Sequence, residues 1–145
     1  MMEIKVKKLN DRAVLPTYGS LDAGGADLYS CEGELTFSPH ETKLVHTGIA
    51  MEIPKGYVGL IYARSGIATK RGLAPANKVG VIDADYRGEI MVSLHNHSEI
   101  AAKIDEGERI AQIVITPYLT ADFIECDELD ETKRGEGGFG STGRK

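Results

Sequence analysis

Apolar and polar residues alternate along most of this chain with a period of two. The alternation is clearest over residues 49–53, 58–62 and 90–94, and residues 110–115 form a nearly continuous apolar run. Successive side chains of a β-strand point to opposite faces, so this period predicts strands. Turn sequences separate them, namely Ser38-Pro39, Pro54-Lys55-Gly56, Asp105-Glu106-Gly107 and Thr116-Pro117. Short strands with frequent turns predict an all-β fold, a β-sandwich or barrel.

One segment, residues 65–71, has a helical pattern. Ser65 is expected to cap the N-terminus of this helix and Gly72 to end it. Residues 125–131 are mostly acidic and are expected to mark the passage from a folded core to a mobile segment. The sequence therefore predicts a β-rich core domain over residues 1–133 and a flexible, glycine-rich C-terminal arm over residues 134–145.

Length and charge narrow the classes of function. With 145 residues and a formal net charge of -5, the chain is expected to form one domain with a single core. The negative charge argues against an extended nucleic-acid surface but allows a local pocket for a small polyphosphate. No apolar run reaches the roughly 18 residues of a membrane span, and no signal peptide is recognisable, so a cytoplasmic protein without membrane contact is expected. Cys31 and Cys126 lie far apart, which favours free thiols over a disulfide or a zinc site.

The C-terminal arm carries groups suited to a nucleotide. Phe139 can stack on a planar ring. Donors for phosphate oxygens come from Arg134, Ser141 and Thr142 and from the glycine N–H groups. A solvated terminal tail is the alternative, and the arm alone does not decide between the two.

A second candidate anion site precedes the predicted helix. Residues 63–66, Ala-Arg-Ser-Gly, end a strand and open the helix. Unpaired N–H groups, a hydroxyl and the Arg64 guanidinium therefore meet where an anion is favoured. A capped surface turn with an incidental arginine is the alternative.

A third candidate site lies in residues 80–88, which are predicted to form a hairpin. In it Asp83 and Asp85 point to one side and Tyr86 to the other, so a carboxylate can face a pocket beside an aromatic ring. The hairpin backbone can read a base edge by the order of its donors and acceptors. An Asp-rich hairpin turn without a ligand is the alternative.

Other polar positions are less specific. Asp27 opens a strand behind a run of glycines, and both a turn-forming role and a ligand or metal contact are open. Gln112 is embedded in an apolar run and must be satisfied by backbone or by a ligand. His95 and His97 share a strand face, a spacing compatible with a metal, but a surface turn is favoured because no other ligand cluster lies nearby in the sequence.

Taken in this order, five segments resemble the five motifs of the homotrimeric dUTPases, the deoxyuridine triphosphate nucleotidohydrolases. The segments are Ala-Gly-Gly-Ala-Asp-Leu, Arg-Ser-Gly, Gly-Val-Ile-Asp-Ala-Asp-Tyr-Arg-Gly, Arg-Ile-Ala-Gln and Arg-Gly-x-Gly-Gly-Phe-Gly-Ser-Thr-Gly. The resemblance implies an all-β, jelly-roll-like subunit in a homotrimer whose active sites each draw segments from all subunits. It also implies Mg²⁺-assisted hydrolysis of dUTP to dUMP and pyrophosphate, which limits uracil incorporation into DNA and supplies dUMP for thymidylate synthesis.

The resemblance further implies roles for single residues. Asp83 would be the general base for the water that attacks the α-phosphorus, and Tyr86 would pack beneath the deoxyribose and exclude a 2′-hydroxyl. Asp27 would hold Mg²⁺ through water. Uracil would be read by Asn77, Gly80, Val81 and Ile82. The phosphate chain would be held by Arg64, Ser65, Gly66 and Gln112. The arm would close with Phe139 over uracil and with Arg134, Gly140, Ser141 and Thr142 on the γ-phosphate.

Two residues depart from the family's usual pattern. Ala63 stands where proline is frequent, which predicts a looser turn before Arg64. Glu108 stands where aspartate is frequent, which puts in question how this acid braces Arg64. Two other functions stay open at this point, a dCTP deaminase-like nucleotide enzyme and a non-catalytic trimeric module that senses dUTP. A deaminase would require a glutamate in place of the Asp83 segment.

Overall fold

Antiparallel strands make up most of the protein. The computed structural model describes residues 1–143 and contains twelve β-strands and one α-helix in that range. The strands are β1 (Lys5–Lys8), β2 (Thr17–Tyr18), β3 (Ala26–Tyr29), β4 (Leu35–Phe37), β5 (Thr42–His46), β6 (Ile49–Glu52), β7 (Tyr57–Tyr62), β8 (Leu73–Pro75), β9 (Gly80–Ile82), β10 (Met91–Asn96), β11 (Ala102–Ile104) and β12 (Arg109–Pro117). The helix is α1 (Ser65–Arg71). The predicted arm extends to residues 144 and 145, which lie outside the described residues.

The strands form four antiparallel sheets around one core. The largest has the order β2-β3-β12-β7-β9, a three-stranded sheet has the order β5-β10-β8, and β1-β6 and β11-β4 form pairs. Side chains from all four sheets are fully buried, among them Leu28, Phe37, Val45, Ile49, Leu73, Leu94, Ile104 and Ile110. Burying such side chains away from water is the main stabilising term of the fold. The arrangement confirms the predicted all-β, jelly-roll-like architecture.

Strand β7 buries a different face from the one that its apolar alternation suggests. Gly59 and Ile61 face the core, and a Cβ at Gly59 would lie only 2.9 Å from Ile113 Cδ1, so glycine lets these strands pack closely. Val58 and Leu60 stand on the opposite face. In register with Leu60 on that face lies Val81 of β9, which is 59% exposed. The sheet therefore carries apolar side chains on its outer side as well.

Helix α1 spans the predicted residues, but the predicted N-cap, Ser65, is wrong by one position. Arg64 is the capping residue, with extended backbone and no side-chain hydrogen bond to the helix, and Ser65 is already helical. The C-terminal prediction is confirmed, because Gly72 has a φ of 67° and its N–H donates to Ala68 O. Lys70 and Arg71 lie in the last turn, where cations are favoured by the helix dipole.

The predicted hairpin over residues 80–88 is wrong. Strand β9 pairs with β7, and the next strand, β10, pairs with β5 and β8 in another sheet. Between them the Tyr86 N–H donates to Asp83 O at 3.1 Å, which closes a four-residue turn. The segment is therefore a strand followed by a turn that crosses from one sheet to the next.

The chain leaves the core after β12. Residues 117–136 are all exposed. They include Leu119, Phe123, Ile124 and Leu129, each at least 80% exposed. Among the described residues, no helix is long and apolar enough to cross a membrane.

Candidate active site

Asp27 lies between two guanidinium groups. Its Oδ1 accepts a hydrogen bond from Arg64 Nε at 2.7 Å, and its Oδ2 accepts one from an Nη of Arg109 at 3.0 Å. The residue is 9% exposed, and a carboxylate this deep needs such partners. Nε of Arg64 is committed to Asp27, and one Nη donates a long hydrogen bond to Arg109 O at 3.5 Å. The other N–H groups of the outer nitrogens remain to meet a ligand. Asp27 thus sets the direction of Arg64.

Gln112 stands beside this cluster on the same sheet face. It pairs with Asp27 of β3 on one side and with Tyr62 of β7 on the other. Its Nε2 donates to Ala63 O at 2.9 Å, so the backbone satisfies the amide group in part. Gly25 packs directly against the amide, since a Cβ there would overlap Oε1. Gln112 Oε1 accepts no hydrogen bond from the described residues and is available to a bound water.

The start of α1 adds N–H donors next to Arg64. Ser65 and Gly66 are exposed and lie in the first helical turn, where N–H groups have no partner within the helix. A Cβ at Gly66 would meet nothing within 4 Å, so the surface above it is open. The carbonyl of Ala63 accepts from Gln112, which ties the residue before Arg64 to β12.

Glu108 does not brace Arg64. It forms a two-point ion pair with Arg71 at the end of α1, and its Oε2 also accepts the Asp105 N–H at 2.9 Å. The hydrogen bond from Arg71 is the main cause that lowers the pKa of Glu108, and burial opposes it. The longer side chain therefore ties α1 to the turn before β12, and Asp27 performs the bracing of Arg64.

Asp83 follows β9 at the edge of a cleft. The cleft has a volume of about 200 Å³, and its lining includes Leu44, Ile82, Asp83, Tyr86 and Met91. The carboxylate is exposed and accepts no hydrogen bond from the described residues. A free carboxylate beside an aromatic ring and apolar side chains can accept a proton from a ligand or from water.

Asn77 and Gly80 lie at the other end of β9. Asn77 is exposed in the turn that precedes β9, and its Nδ2 lies 3.6 Å from the position of a Cβ at Gly80. Gly80 itself is buried against Ile61. Val81 and Ile82 continue this strand toward Asp83.

The chain does not bring Arg64 and Asp83 into one site. In β7 the Tyr62 end leads to Arg64, whereas Ile82, next to Asp83, pairs with Gly59. At about 3.3 Å per strand residue, the two groups lie roughly 15 to 20 Å apart along the sheet. The predicted site residues therefore form two groups. One holds Asp27, Arg64, Ser65, Gly66 and Gln112, and the other holds Asp83 and Tyr86, with Asn77, Gly80, Val81 and Ile82 along the strand between them.

The described part of the arm lies apart from both groups. Arg134 Nε donates to Gly137 O at 2.8 Å, and the Ser141 N–H donates to Gly138 O at 3.0 Å. All hydrogen bonds found for residues 132–143 are internal to that segment. The Phe139 side chain is fully exposed, and its φ of 50° is one that non-glycine residues rarely adopt. Gly140 and Thr142 belong to the same series of exposed turns.

Mg²⁺ fits this site only through water. No three His, Cys, Asp or Glu side chains within residues 1–143 are grouped so as to hold a metal ion. Asp27 already accepts from two cations, but a carboxylate offers about four lone-pair sites, so a metal-bound water can still donate to it. Mg²⁺ commonly keeps several waters and binds substrate phosphates directly. The donor set is thus compatible with Mg²⁺ that arrives with a nucleotide.

Sequence reasoning missed two contributors. Arg109 reaches Asp27 across 82 residues, and only the β3–β12 register reveals this contact. Glu89 lines the cleft of Asp83, and its carboxylate contacts His46 Nδ1 at 2.9 Å. Arg109 opens the Arg-Ile-Ala-Gln segment, but nothing local indicates that it contacts Asp27, and Glu89, two residues before β10, carries no local signal.

Comparison with known proteins agrees with the geometry. The family model for dUTPase matches residues 11–143. The chain is 51% identical to the deoxyuridine 5'-triphosphate nucleotidohydrolase of Nautilia profundicola, over 99% of this chain and 100% of that protein. A dUTPase of Staphylococcus bacteriophage 80alpha, solved with dUPNHPP, superposes with a TM-score of 0.91 at 31% identity over 99% of both chains. A mutant dUTPase from phage phi11 of S. aureus, described as revealing the coordination of a structural Mg(II) ion, has a TM-score of 0.81 at 26% identity over 90% of this chain and 100% of that one. This chain belongs to the dUTPase family of deoxyuridine 5'-triphosphate nucleotidohydrolases.

Proposed function

We propose that this chain hydrolyses dUTP to dUMP and pyrophosphate in a site that several copies of the chain build together. The observation that carries the proposal is the separation of two complementary groups on a single chain. A cationic group around Arg64 suits a triphosphate, and the free Asp83 carboxylate suits a base, yet they lie roughly 15 to 20 Å apart. A second copy is needed to complete the site.

Asp83 serves as the general base in this proposal. It accepts a proton from a water whose oxygen attacks the α-phosphorus, and the bond from that phosphorus to the oxygen bridging to the β-phosphate breaks. The leaving group is pyrophosphate, and the oxygen from water remains on dUMP. The carboxylate is suited to this role because it is exposed and is not committed to a cation of the described chain.

The phosphate chain binds at the group held by Asp27. Arg64 offers its outer guanidinium nitrogens, and Ser65 and Gly66 offer N–H groups of the first helical turn. Gln112 adds an amide beside them. Phosphoryl transfer depends mainly on such positioning and charge stabilisation. When bound with the nucleotide, Mg²⁺ would neutralise phosphate charge, and Asp27 would hold it through a water.

Base and sugar are assigned to the β9 region. Backbone groups of Gly80, Val81 and Ile82, with the Asn77 amide, read the uracil edge. The Tyr86 ring lines the same cleft as Asp83 and packs beneath the deoxyribose. Such a ring leaves no space for a 2′-hydroxyl, so UTP is excluded.

A homotrimer is the assembly that we propose. The outer face of the large sheet carries Val58, Leu60 and Val81, apolar side chains that gain from being covered. The segment after β12 exposes Leu119 and Phe123 almost completely, which again indicates a partner surface. A closed threefold ring covers the same patch on every copy.

The arm closes this shared site. In the free chain the segment 132–143 makes its own turns and leaves Phe139 in solvent. On a bound nucleotide, Phe139 stacks on uracil, while Arg134, Gly140, Ser141 and Thr142 meet the γ-phosphate. The domain division at residue 134 is part of this proposal, as is a cytoplasmic location, which the free thiols of Cys31 and Cys126 support.

A nucleotide panel tests the proposal. The protein is incubated with Mg²⁺ and each of dUTP, dTTP, dCTP and UTP, and pyrophosphate, ammonia and nucleotide products are measured. We expect pyrophosphate and dUMP from dUTP at a rate at least about a hundredfold above the others, a gap that differential binding of the transition state can supply. Ammonia from dCTP would instead indicate a deaminase. Binding of dUTP without pyrophosphate would indicate a sensor.

A further inference from the structure

The ring of Tyr86 is held by Gly88 and Glu89, which lie two and three residues further along the chain. Its hydroxyl donates to Glu89 O at 2.8 Å. A Cβ at Gly88 would lie 2.6 Å from Tyr86 Cζ and 2.9 Å from Cε2, so the ring packs directly against the Gly88 backbone. The position of the ring therefore depends on where residues 88 and 89 are fixed.

Glu89 fixes this backbone through its side chain. Oε1 accepts the Gly48 N–H at 2.9 Å, and Oε2 contacts His46 Nδ1 at the same distance. The side chain is only 22% exposed. The next residue, Ile90, continues the attachment, because its N–H donates to Ile49 O at 2.8 Å. The turn that carries Asp83 and Tyr86 is thus joined to the connection between β5 and β6.

His46 lies in an acidic surrounding. Glu89 faces its ring from the segment before β10, and Glu32 accepts its backbone N–H at 2.9 Å from the loop after β3. Cys31 of the same loop contacts His46 through its backbone, because its N–H donates to His46 O at 2.9 Å, while its thiol accepts from Asn10. Met91 of β10, the strand partner of His46, has no charge. The hydrogen bond with Glu89 is the main cause that raises the pKa of His46, and the charges of Glu89 and Glu32 add to it against the effect of burial.

We propose that His46 and Glu89 form a positioning pair that holds the Tyr86 ring in place and thereby sets the preference for deoxyribose over ribose. The inference rests on the proposed function, in which Tyr86 packs beneath the sugar. The Glu89 carboxylate is turned toward Gly48 and His46, whereas its backbone carbonyl accepts from the Tyr86 hydroxyl, so the pair is assigned to positioning Tyr86. A loosened ring would admit the 2′-hydroxyl of UTP.

The pair predicts a pH-dependent selectivity. Because the folded pKa of His46 is raised, its ion pair with Glu89 is complete below the ordinary histidine value of about 6.5 and weakens as pH rises through the raised value. A neutral imidazole with its proton on Nδ1 still donates to the Glu89 carboxylate, but the attraction between the two opposite charges is lost. Selectivity for dUTP over UTP should therefore fall, but not vanish, with rising pH.

The test measures kcat and KM for dUTP and UTP on the full-length protein across this pH range. Glu89→Gln keeps the shape and can still accept from Gly48, but it removes the charge. We expect it to lower the dUTP-to-UTP ratio of kcat/KM by about fivefold at neutral pH and to flatten its pH profile. His46→Gln should likewise lower the ratio and flatten its pH profile. Because His46 is half-exposed, this variant replaces the first one if Glu89→Gln folds poorly. Gly88→Ala should lower the ratio at every pH but leave its pH dependence intact, because it moves the ring directly.

A matched control is available in the His40–Glu99 pair, which is joined at 2.8 Å on the surface. Glu99→Gln should leave both the ratio and its pH profile unchanged. The pairing role is overturned if Glu89→Gln and His46→Gln both keep the dUTP-to-UTP ratio of kcat/KM and the pH profile of the unaltered protein. The proposal of dUTP hydrolysis would stand in that case. NMR signals of the Tyr86 ring give a readout that needs no turnover. They should follow the titration of His46 in the unaltered protein and not in Glu89→Gln, and an insensitive ring would also overturn the inference.

Discussion

The Asp27 carboxylate accepts a hydrogen bond of 2.7 Å from Nε of Arg64, the guanidinium nitrogen nearest the backbone. This contact leaves the outer end of the guanidinium pointing away from the acid. Arg109 takes the other carboxylate oxygen at 3.0 Å, so a single buried acid orients two cations. An anion that binds here meets positive groups whose directions are already set, which reduces the entropic cost of binding.

Asp27→Asn should damage both stability and substrate use. The amide cannot neutralise two guanidinium groups, so unfolding free energy should fall by about 1–3 kcal/mol. Arg64 would lose its fixed direction, and kcat/KM for dUTP should fall by about ten- to a hundredfold. Thermal melts and steady-state kinetics check these values. Asp22→Asn, at an exposed position of the preceding turn, should change neither, and an unaltered kcat/KM in Asp27→Asn would remove the residue from this role.

Gly25→Ala should separate activity from stability. A Cβ at Gly25 would overlap Gln112 Oε1 and lie 3.2 Å from Cδ, so the amide must turn away and give up its hydrogen bond to Ala63 O. The displaced atoms are the end of a flexible side chain, so the melting temperature should change by only about 1–2 °C. KM for dUTP should rise by about tenfold, since an aligned phosphate contact is lost. At Gly24 a Cβ meets nothing within 4 Å, which makes Gly24→Ala the matched control. Equal KM values in the two variants would contradict the assignment of Gln112.

The sequence predicts most of the fold because period-two alternation is a local property. It does not tell which face of β7 is buried, since Val58 and Leu60 are apolar on one face while Gly59 and Ile61 stand on the other. The motif residues are recognisable one segment at a time. Contacts such as Arg109 with Asp27 depend on strand register between distant segments, and no local pattern encodes that register.

Asp83→Asn should slow the chemical step but preserve nucleotide binding. The amide cannot take a proton from the attacking water, so kcat should fall by roughly 10²–10⁴-fold while KM changes little. The side chain is exposed and has no partner among the described residues, so the melting temperature should stay the same. Asp85→Asn, two residues along the same turn, tests whether any nearby carboxylate suffices. Turnover of Asp83→Asn within a few-fold of the unaltered protein would exclude Asp83 as the base.

The Glu108–Arg71 pair predicts a pH dependence of stability. Arg71 lowers the pKa of Glu108 in the folded state. The pair therefore stabilises the fold fully above the unfolded pKa of about 4.3, and this stabilisation is lost as pH falls through the lower folded pKa. Glu108→Gln should lower the melting temperature by about 2–4 °C near neutral pH, and the difference should close in acid. Glu106→Gln, whose ion pair with Arg12 is exposed and 3.6 Å long, is the control and should have almost no effect. A difference that persists unchanged at the acid end would show that Glu108 acts by packing and not by charge.

The shared site can be tested by mixing two inactive variants. One carries Asp83→Ala with an intact arm, and the other has Asp83 but ends before Arg134. Removal of the arm should leave the melting temperature nearly unchanged, because the hydrogen bonds of residues 132–143 are internal to that segment. If each site takes Asp83 from one copy and the arm from another, random mixing in a closed ring gives a good Asp83 in half of the sites and a good arm, independently, in half. Co-expressed variants should then recover roughly a quarter of normal activity. If one copy supplied both groups, every site would lack one of them and the mixture would stay inactive. A size measurement on the unaltered protein provides the separate check, because a monomer would exclude the shared site even before the mixing experiment.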